Sequence, residues 1–185
     1  GSPPLTNRAG PWIDAGSGKL CTRYARTGDL LTRLIAELPD SYWFTQSFHP
    51  DLEYWLPLHW AGFRLEPRVS YVIDDCRDNA AAQSALSETT RRQLRKSQRN
   101  LAIEEIDAGR LIDLVRKTFQ RQGEGMRISP KVLESLMAAT AARGAGRAIA
   151  AVDGSGRTHA AAFFVWDAKR MYYLIGGGDP TLRSS

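Results

Sequence analysis

The C-terminal part of the chain carries three short strand patterns in a row, and this run constrains the fold more than any other feature. The patterns cover residues 147–152, 159–166 and 171–175, and tight turns at 153–156 and 167–169 separate them. Turns this short join antiparallel neighbours. The run therefore predicts an antiparallel meander, which must bury at least one of its faces against another layer.

Two helices are predicted immediately before the meander. An apolar stripe from Leu111 to Phe119 indicates the first helix. Ser129, a capping residue, and Pro130, which suits the first helical position, indicate where the second begins. With a short strand over 101–105, the second half reads strand, helix, helix, strand, strand, strand. This order predicts an α/β protein, of the α+β kind with a mixed sheet, in which the two helices cover one face of the sheet.

The first half of the chain has weaker patterns. A helix is predicted over 29–38, where leucines and an isoleucine recur at helical spacing. Alternating aromatic residues predict a strand over 42–48, a helix interrupted by proline is predicted over 52–60, and a further alternation predicts a strand over 69–73. The polar residues that follow place a boundary between two sub-domains near residue 75.

A basic helix is predicted at the start of the second half. It begins at Ser87, a capping residue followed by an acid that favours a helix N-terminus, and it ends near Asn100. Nine residues of this helix contain no acid and carry five cations: Arg91, Arg92, Arg95, Lys96 and Arg99. Such a face is most often only solvated, but it would also attract phosphate. A solvated surface and a phosphate or RNA contact at Arg91, Arg92, Arg95 and Lys96 are both kept as interpretations.

Composition and cysteine content exclude several classes of protein. Hydrophobic residues make up 43% of the 185 residues and charged ones 24%, as in a globular domain, and no stretch has the roughly 20 apolar residues of a membrane span. Cys21 and Cys76 are isolated, without the spacing of a zinc site or a disulfide framework. The histidines at 49, 59 and 159 have no cysteine or carboxylate partner at ligand spacing. We expect a cytoplasmic protein without a membrane span, a bound metal or a permanent cofactor.

Seven short strings of residues carry a resemblance to a known family: PLT at 4–6, GPW at 10–12, WAGF at 60–63, SYVID at 70–74, RRQLRK at 91–96, TFQRQG at 118–123 and YYLIGGGDP at 172–180. With these strings, nearly the whole chain resembles the GNAT acetyltransferase superfamily, and specifically its Fem-like aminoacyltransferase branch. The resemblance implies a GNAT-like acyltransferase fold that is tandem and incomplete. Residues 1–75 would be part of a first GNAT-like unit, and residues 76–185 a second unit truncated after its central strand.

The same resemblance implies where the acyl donor is held. The loop after the last strand, 176–185, would bind the donor through Gly176, Gly177, Gly178, Asp179, Arg183 and Ser184. Glycines let the backbone approach a ligand closely, and an arginine offers a charged fork that suits phosphate. The alternative is that these glycines only form a strand exit and a turn.

Four further residues are candidates for the side of the site that holds the acceptor: Gln120, Arg121, Gln122 and Tyr173. The first three end a helix before a glycine break, where polar groups can line a cleft, although exposed helix ends are commonly polar. The phenol of Tyr173 is suited to giving a proton to a leaving group, although tyrosines in strands more often serve packing. No residue is assigned as general base.

Two hypotheses for function follow from the resemblance and the charge pattern. In the first, the parent protein transfers an acyl or aminoacyl group from a co-substrate, acyl-CoA or aminoacyl-tRNA, to an amine acceptor such as a small molecule or a cell-wall precursor. In the second, the chain is a non-catalytic GNAT-like module that binds RNA or a protein partner. We expect the 185-residue chain by itself to be an inactive fragment that lacks the C-terminal part of the parent.

Overall fold

The computed structural model describes residues 5–6, 8–40 and 43–182. By its internal contacts the chain divides into two compact units, Gly1–Val72 and Ile73–Ser185. The division lies close to the predicted boundary near residue 75. That each unit corresponds to one GNAT-like unit of a tandem stays a prediction.

In its described residues the first unit contains two helices and long irregular segments. The helices are α1 (Leu20–Ala36) and α2 (Leu56–Trp60). Leu31 of α1 and Leu58 of α2 are buried. The rings of Tyr24 and Tyr54 stack with their centroids 4.9 Å apart, which ties α1 to the segment before α2. This small core is apolar and aromatic, as the composition of the segment predicts.

The helix predictions for the first unit were wrong in their bounds. The helix predicted over 29–38 is only the second half of α1, whose N-terminal half is too polar to show an apolar stripe. Pro57 was predicted to interrupt a helix over 52–60. It instead lies in the first turn of α2, where its missing N–H removes no intrahelical hydrogen bond.

The two strands predicted for the first half were also wrong. Within the described residues, 43–47 and 69–73 form no strand, and Phe48 makes only an isolated bridge to Ala9; Tyr42 lies outside the described residues. Val69 and Tyr71 are 93% and 99% exposed. An alternating pattern becomes a strand only where a neighbour satisfies its backbone groups, and no described segment does so here.

The second unit contains the predicted order of elements. These are α3 (Asn79–Ser84), α4 (Glu88–Asn100), β1 (Leu101–Glu105), α5 (Ala108–Arg121), α6 (Pro130–Ala141), β2 (Gly146–Asp153), β3 (Thr158–Trp166), β4 (Met171–Gly178) and a single 3-10 turn, Pro180–Leu182. The order strand, helix, helix, strand, strand, strand is confirmed. Helix α3 was not predicted, because it has no apolar stripe. The Asp78 carboxylate caps it by accepting the Ala80 and Ala81 N–H groups.

Both helix starts predicted in the second half are confirmed. The Ser87 hydroxyl accepts the Thr90 N–H at 3.2 Å, and α4 begins at the next residue. Pro130 is the first residue of α6. In the part of the chain that the structure describes, no helix is both long and apolar enough to cross a membrane.

The four strands form one antiparallel sheet in the order β1-β2-β3-β4. Helices α5 and α6 pack against the same face, as predicted. The core between helices and sheet contains Leu111, Leu114, Val115, Leu133, Ala148, Ala150, Phe163 and Ile175. The α/β fold class is therefore confirmed, with the difference that all the strand pairs described are antiparallel. The opposite face carries Ile149, Phe164 and Tyr173.

Strand β4 is longer than predicted and irregular. The segment from Gly176 was predicted as a loop, but Gly176, Gly177 and Gly178 continue the strand and pair with Ala162, Ala161 and Ala160. The register shifts in the middle of β4: Ile175 pairs with Phe163 and Tyr173 pairs with Phe164. Leu174 is the extra residue of this bulge. A bulge bends a strand and leaves a backbone position unpaired.

Candidate functional site

The C-terminal turns of α5 hold the end of β4. The Lys117 ammonium lies 2.8 Å from the Asp179 carboxylate. One residue further along α5, the Thr118 hydroxyl accepts the Gly178 N–H at 3.0 Å and donates to the Leu114 carbonyl at 3.0 Å. These contacts join residues about sixty positions apart in sequence. The last residues of β4 are therefore fixed on the end of α5.

Gly177 is required by this packing. A Cβ at Gly177 would overlap the carbonyl of Leu114 and the backbone nitrogen of Val115. The strand thus approaches the helix backbone more closely than any residue with a side chain allows. Structural packing accounts for this glycine, and any contact with a donor would be an additional role.

Tyr173 lies on the other face of β4. Its ring meets Phe164 edge to face with centroids 5.8 Å apart, and its side chain is exposed. A Cβ at Gly176 would meet the Tyr173 hydroxyl and the Ala161 carbonyl. The bulge at Leu174 explains this contact, because it places Tyr173 and Gly176 on the same face although they are three residues apart. The phenol therefore reaches the glycine end of β4.

Asp179 is engaged within the protein. One oxygen of its carboxylate accepts the Thr181 N–H at 2.9 Å and the Thr181 hydroxyl at 2.6 Å, and the other pairs with Lys117. The hydrogen bond from Lys117 is the largest of several contacts that hold the pKa of Asp179 well below its usual range. The same bond raises the pKa of Lys117. Asp179 is therefore ionised at neutral pH and orients the turn that follows β4.

The structure brings only some of the predicted site residues together. Gln120, Arg121 and Gln122 are exposed at the end of α5, and Arg121 lies one helical turn beyond Lys117. They lie at the end of α5, which packs on one face of the sheet, whereas Tyr173 lies on the opposite face. Two of the predicted donor-binding residues, Arg183 and Ser184, lie outside the described residues.

The predicted basic residues of α4 divide into two groups. Arg91 donates from Nη1 to the Ser84 carbonyl at 2.7 Å and is partly buried, so it closes the end of α3. Arg92, Arg95 and Lys96 are exposed. They share one face of α4 with Arg99, because residues three, four and seven apart lie above one another on a helix.

Sequence reasoning missed a charged cluster at the turn between β2 and β3. His159 was judged only to have no carboxylate partner at the spacing of metal ligands, and its pairing with Asp153 was not predicted: its Nε2 lies 3.0 Å from Oδ2 of Asp153. Arg157 also pairs with Asp153, at 2.8 Å. The hydrogen bond to His159 is the main cause that lowers the pKa of Asp153. The hairpin itself was predicted, and a pairing of side chains across it, between Asp153 and His159, could have been inferred from that prediction.

The second unit has the α/β class of fold in which helices cover one face of an antiparallel sheet, and its last strand is bulged and ends in glycines. The family model for the acetyltransferase (GNAT) domain matches residues 84–185, more than half of the chain. The chain belongs to the GNAT family, as the resemblance implied. A comparison with curated proteins gives no match.

Proposed function

We propose that this chain is part of an N-acyltransferase of the Fem-like branch. It transfers an acyl or aminoacyl group from acyl-CoA or aminoacyl-tRNA to a primary amine. The observation that carries the proposal is the construction of β4, whose bulge at Leu174 and glycine end at 176–178 are held by α5. In the described residues β4 pairs on one side only. Its other edge has backbone N–H groups suited to the carbonyl of an acyl donor.

The reaction requires the amine nitrogen to attack the carbonyl carbon of the donor. A new C–N bond forms, and the C–S bond of a thioester or the C–O bond of an aminoacyl ester breaks. The leaving thiolate or ribose oxygen takes up a proton, and the amine loses one to solvent. Backbone N–H groups at the β4 edge stabilise the negative charge that develops on the carbonyl oxygen.

Tyr173 is our candidate for the proton that the leaving group takes up. Its hydroxyl lies against Gly176, so it is next to the backbone that would hold the acyl group. The Tyr173 residue is exposed, so a bound donor can reach its side chain. A neutral phenol is a suitable general acid for a thiolate or alkoxide that leaves at neutral pH.

The remaining candidates frame the donor and the acceptor. Gly176, Gly177, Gly178 and Asp179 form the donor side, to which Arg183 and Ser184 would add contacts with donor phosphates. Gln120, Arg121 and Gln122 form the acceptor side, with amide and guanidinium groups that recognise a polar amine substrate. A small molecule or a cell-wall precursor that carries a primary amine fits this chemistry.

The test is an acyl-transfer assay on the natural reading frame that contains this sequence, expressed whole. The purified protein is incubated with radiolabelled acetyl-CoA or with aminoacyl-tRNA and a panel of primary amines. An amide product that depends on protein, donor and amine supports the proposal. Donor binding without any amide product favours the alternative of a non-catalytic binding module. Neither binding nor transfer with either donor contradicts the proposal.

A further inference from the structure

Helix α4 presents a row of four cations to solvent: Arg92, Arg95, Lys96 and Arg99. We call these four residues the α4 basic row. All four are exposed, and none has an ion-pair partner within the described residues. Together with Gln93 they border a shallow surface depression of about 480 Å³. Their long side chains are therefore free to close around a ligand on this surface.

The α4 basic row differs from the other arginines of the second unit. Six of these lie within 4.0 Å of a carboxylate: Arg77, Arg110, Arg116, Arg127, Arg147 and Arg157. Residues 89–103, by contrast, contain no acid. Like charges three and four residues apart destabilise a helix. A bound polyanion would reduce that repulsion, and within the described residues none of the four cations has an ion-pair partner that does so.

The dimensions of the row fit a repeating polyanion. With a rise of 1.5 Å per residue, the row from Arg92 to Arg99 is roughly 10 Å long. A nucleic-acid strand carries one phosphate for about every 3.4 Å of helix axis. The row therefore spans several successive phosphates, which one small anion would not occupy.

The residues around the row distinguish a nucleic acid from a membrane surface. A helix that binds at a bilayer needs an apolar face to insert. In α4 the one large apolar residue is Leu94, which is half-buried in the protein. The polar residues Gln93, Ser97 and Gln98 occupy the positions between the cations. Hydrogen bonding to phosphate and sugar is therefore available, and lipid insertion is not.

The same surface lacks the groups that read unstacked bases. No aromatic residue occurs between Tyr71 and Phe119, so α4 and its neighbours offer no ring for base stacking. Contact through phosphates positions a nucleic acid without reading its sequence. The row is suited to the backbone of a structured strand, such as a stem.

We propose that Arg92, Arg95, Lys96 and Arg99 bind the phosphate backbone of an RNA. The choice of RNA rests on the proposed function, because an acyl group esterified to the 3′ end of an RNA is a substrate that an acyltransferase consumes. Arg91, which the sequence also pointed to, is not part of the row, since it is bound to Ser84. Arg99 is included instead, because it is exposed on the same face of α4 as the other three.

The test is RNA binding by the full chain in the absence of acyl donor and acceptor. A fluorescently labelled RNA stem-loop with a single-stranded 3′ end is titrated with the protein, and its anisotropy is followed at several salt concentrations. Four phosphate contacts predict that log Kd rises with log salt with a slope of about 3 to 4. This corresponds to a loss of affinity of roughly 100-fold between 50 and 200 mM salt.

Two double variants with the same change in net charge separate the row from general charge. Arg95→Gln with Lys96→Gln removes two cations of the row, and we expect the salt slope to fall by about 1.5 to 2. Arg127→Gln with Lys131→Gln removes two exposed cations, one shortly before α6 and one in its first turn, and we expect it to leave the slope unchanged. Circular dichroism confirms that both variants remain folded.

Four outcomes would contradict this inference. The first is that the protein does not bind the stem-loop, and the second is that both double variants weaken RNA binding equally. The third is that the protein binds vesicles containing phosphatidylserine more tightly than it binds the RNA. The fourth is that CoA, at concentrations near its own Kd, displaces the RNA completely. Because the assay contains no acyl group, RNA binding can fail while acyl transfer from acyl-CoA succeeds. It can equally succeed in a protein that transfers nothing. The RNA-binding proposal and the acyl-transfer proposal are therefore tested independently of each other.

Discussion

The Lys117 ammonium on α5 and the Asp179 carboxylate after β4 lie 2.8 Å apart, although 62 positions separate them in sequence. Asp179 is mostly buried and also caps the turn that follows it through Thr181. This ion pair and the hydrogen bond from Gly178 to Thr118 fix the end of the edge strand on the helix. The position at which we place the acyl donor thus depends on α5.

Substituting Lys117 by methionine is expected to loosen the end of β4 while leaving the sheet intact. The amide hydrogens of Gly178 and Asp179 should exchange faster, because local opening no longer breaks an ion pair, whereas the amide of Ala150 at the centre of the sheet should be unaffected. Native-state hydrogen exchange measures both. Lys131→Met is the matched control, since Lys131 is exposed and outside this contact. Equal exchange of Asp179 in the two variants would contradict the prediction.

Substituting Gly177 by alanine is expected to destabilise the second unit by about 1–3 kcal/mol, because the new Cβ forces β4 away from α5. A urea titration followed by circular dichroism gives the change in the free energy of unfolding. Gly154→Ala is the control: Gly154 lies in the turn between β2 and β3, with open space around it. A Gly177→Ala protein as stable as the control would show that the close approach of strand and helix is not required.

The second unit was largely predictable from its sequence, because its signals are local. Ser87 and Pro130 favour the first positions of a helix, so each marks a helix start. The apolar stripe around Leu114 shows which face of α5 is buried. Short turns join β2 to β3 and β3 to β4, so these strands pair with their neighbours along the chain, whereas β1 pairs with β2 although α5 and α6 lie between them in sequence. In the meander, recognising the strands from their local pattern therefore also predicts which strand pairs with which.

The remainder depended on contacts that no local pattern reports. The alternation at 69–73 has the period of a strand, yet Tyr71 is almost fully exposed. Gly177 was interpreted as a possible turn residue, because nothing in the neighbouring sequence indicates that α5 packs against it. The pairing of His159 with Asp153 required the register across the hairpin, which a bulge near Val152 shifts. All three features depend on contacts between segments and not on the local sequence pattern.

The Asp153 cluster predicts how stability depends on pH. Hydrogen bonds from His159, Arg157 and Ser155 keep the pKa of Asp153 below its ordinary value of 3.8. A carboxyl group with a lowered pKa stabilises the folded state above its unfolded pKa, near 4, and loses this contribution as the pH falls towards its folded pKa. We expect the thermal unfolding midpoint to fall progressively below about pH 4.

The variant Asp153→Asn isolates this contribution. It should unfold at a lower temperature than the wild-type protein at pH 7, and its midpoint should fall less between pH 5 and pH 2.5. Asp40→Asn serves as a control for the loss of one exposed carboxylate. Calorimetry over that pH range makes the comparison. Parallel pH profiles for wild type and Asp153→Asn would show that the cluster contributes nothing to acid stability.

Substituting Tyr173 by phenylalanine is expected to lower kcat by about 10²–10⁴-fold if its hydroxyl protonates the leaving group. The KM for the amine should change little, because the substitution removes no contact with the acceptor. The loss should shrink with an activated thioester, whose thiol leaves without a proton. Tyr71→Phe is the control, since Tyr71 is exposed in the first unit. A uniform loss with every donor would contradict the role of general acid.

The acyl donor's binding position can be mapped by nuclear magnetic resonance. Two hydrolysis-resistant analogues, a ketone analogue of acetyl-CoA and an amide-linked aminoacyl-RNA, are titrated into isotopically labelled protein from the whole natural reading frame, and backbone amide shifts are recorded. For at least one analogue we predict the largest shifts at the bulge and glycine end of β4, residues 174–179. Shifts confined to other parts of the protein, or no shifts with either analogue, would contradict it.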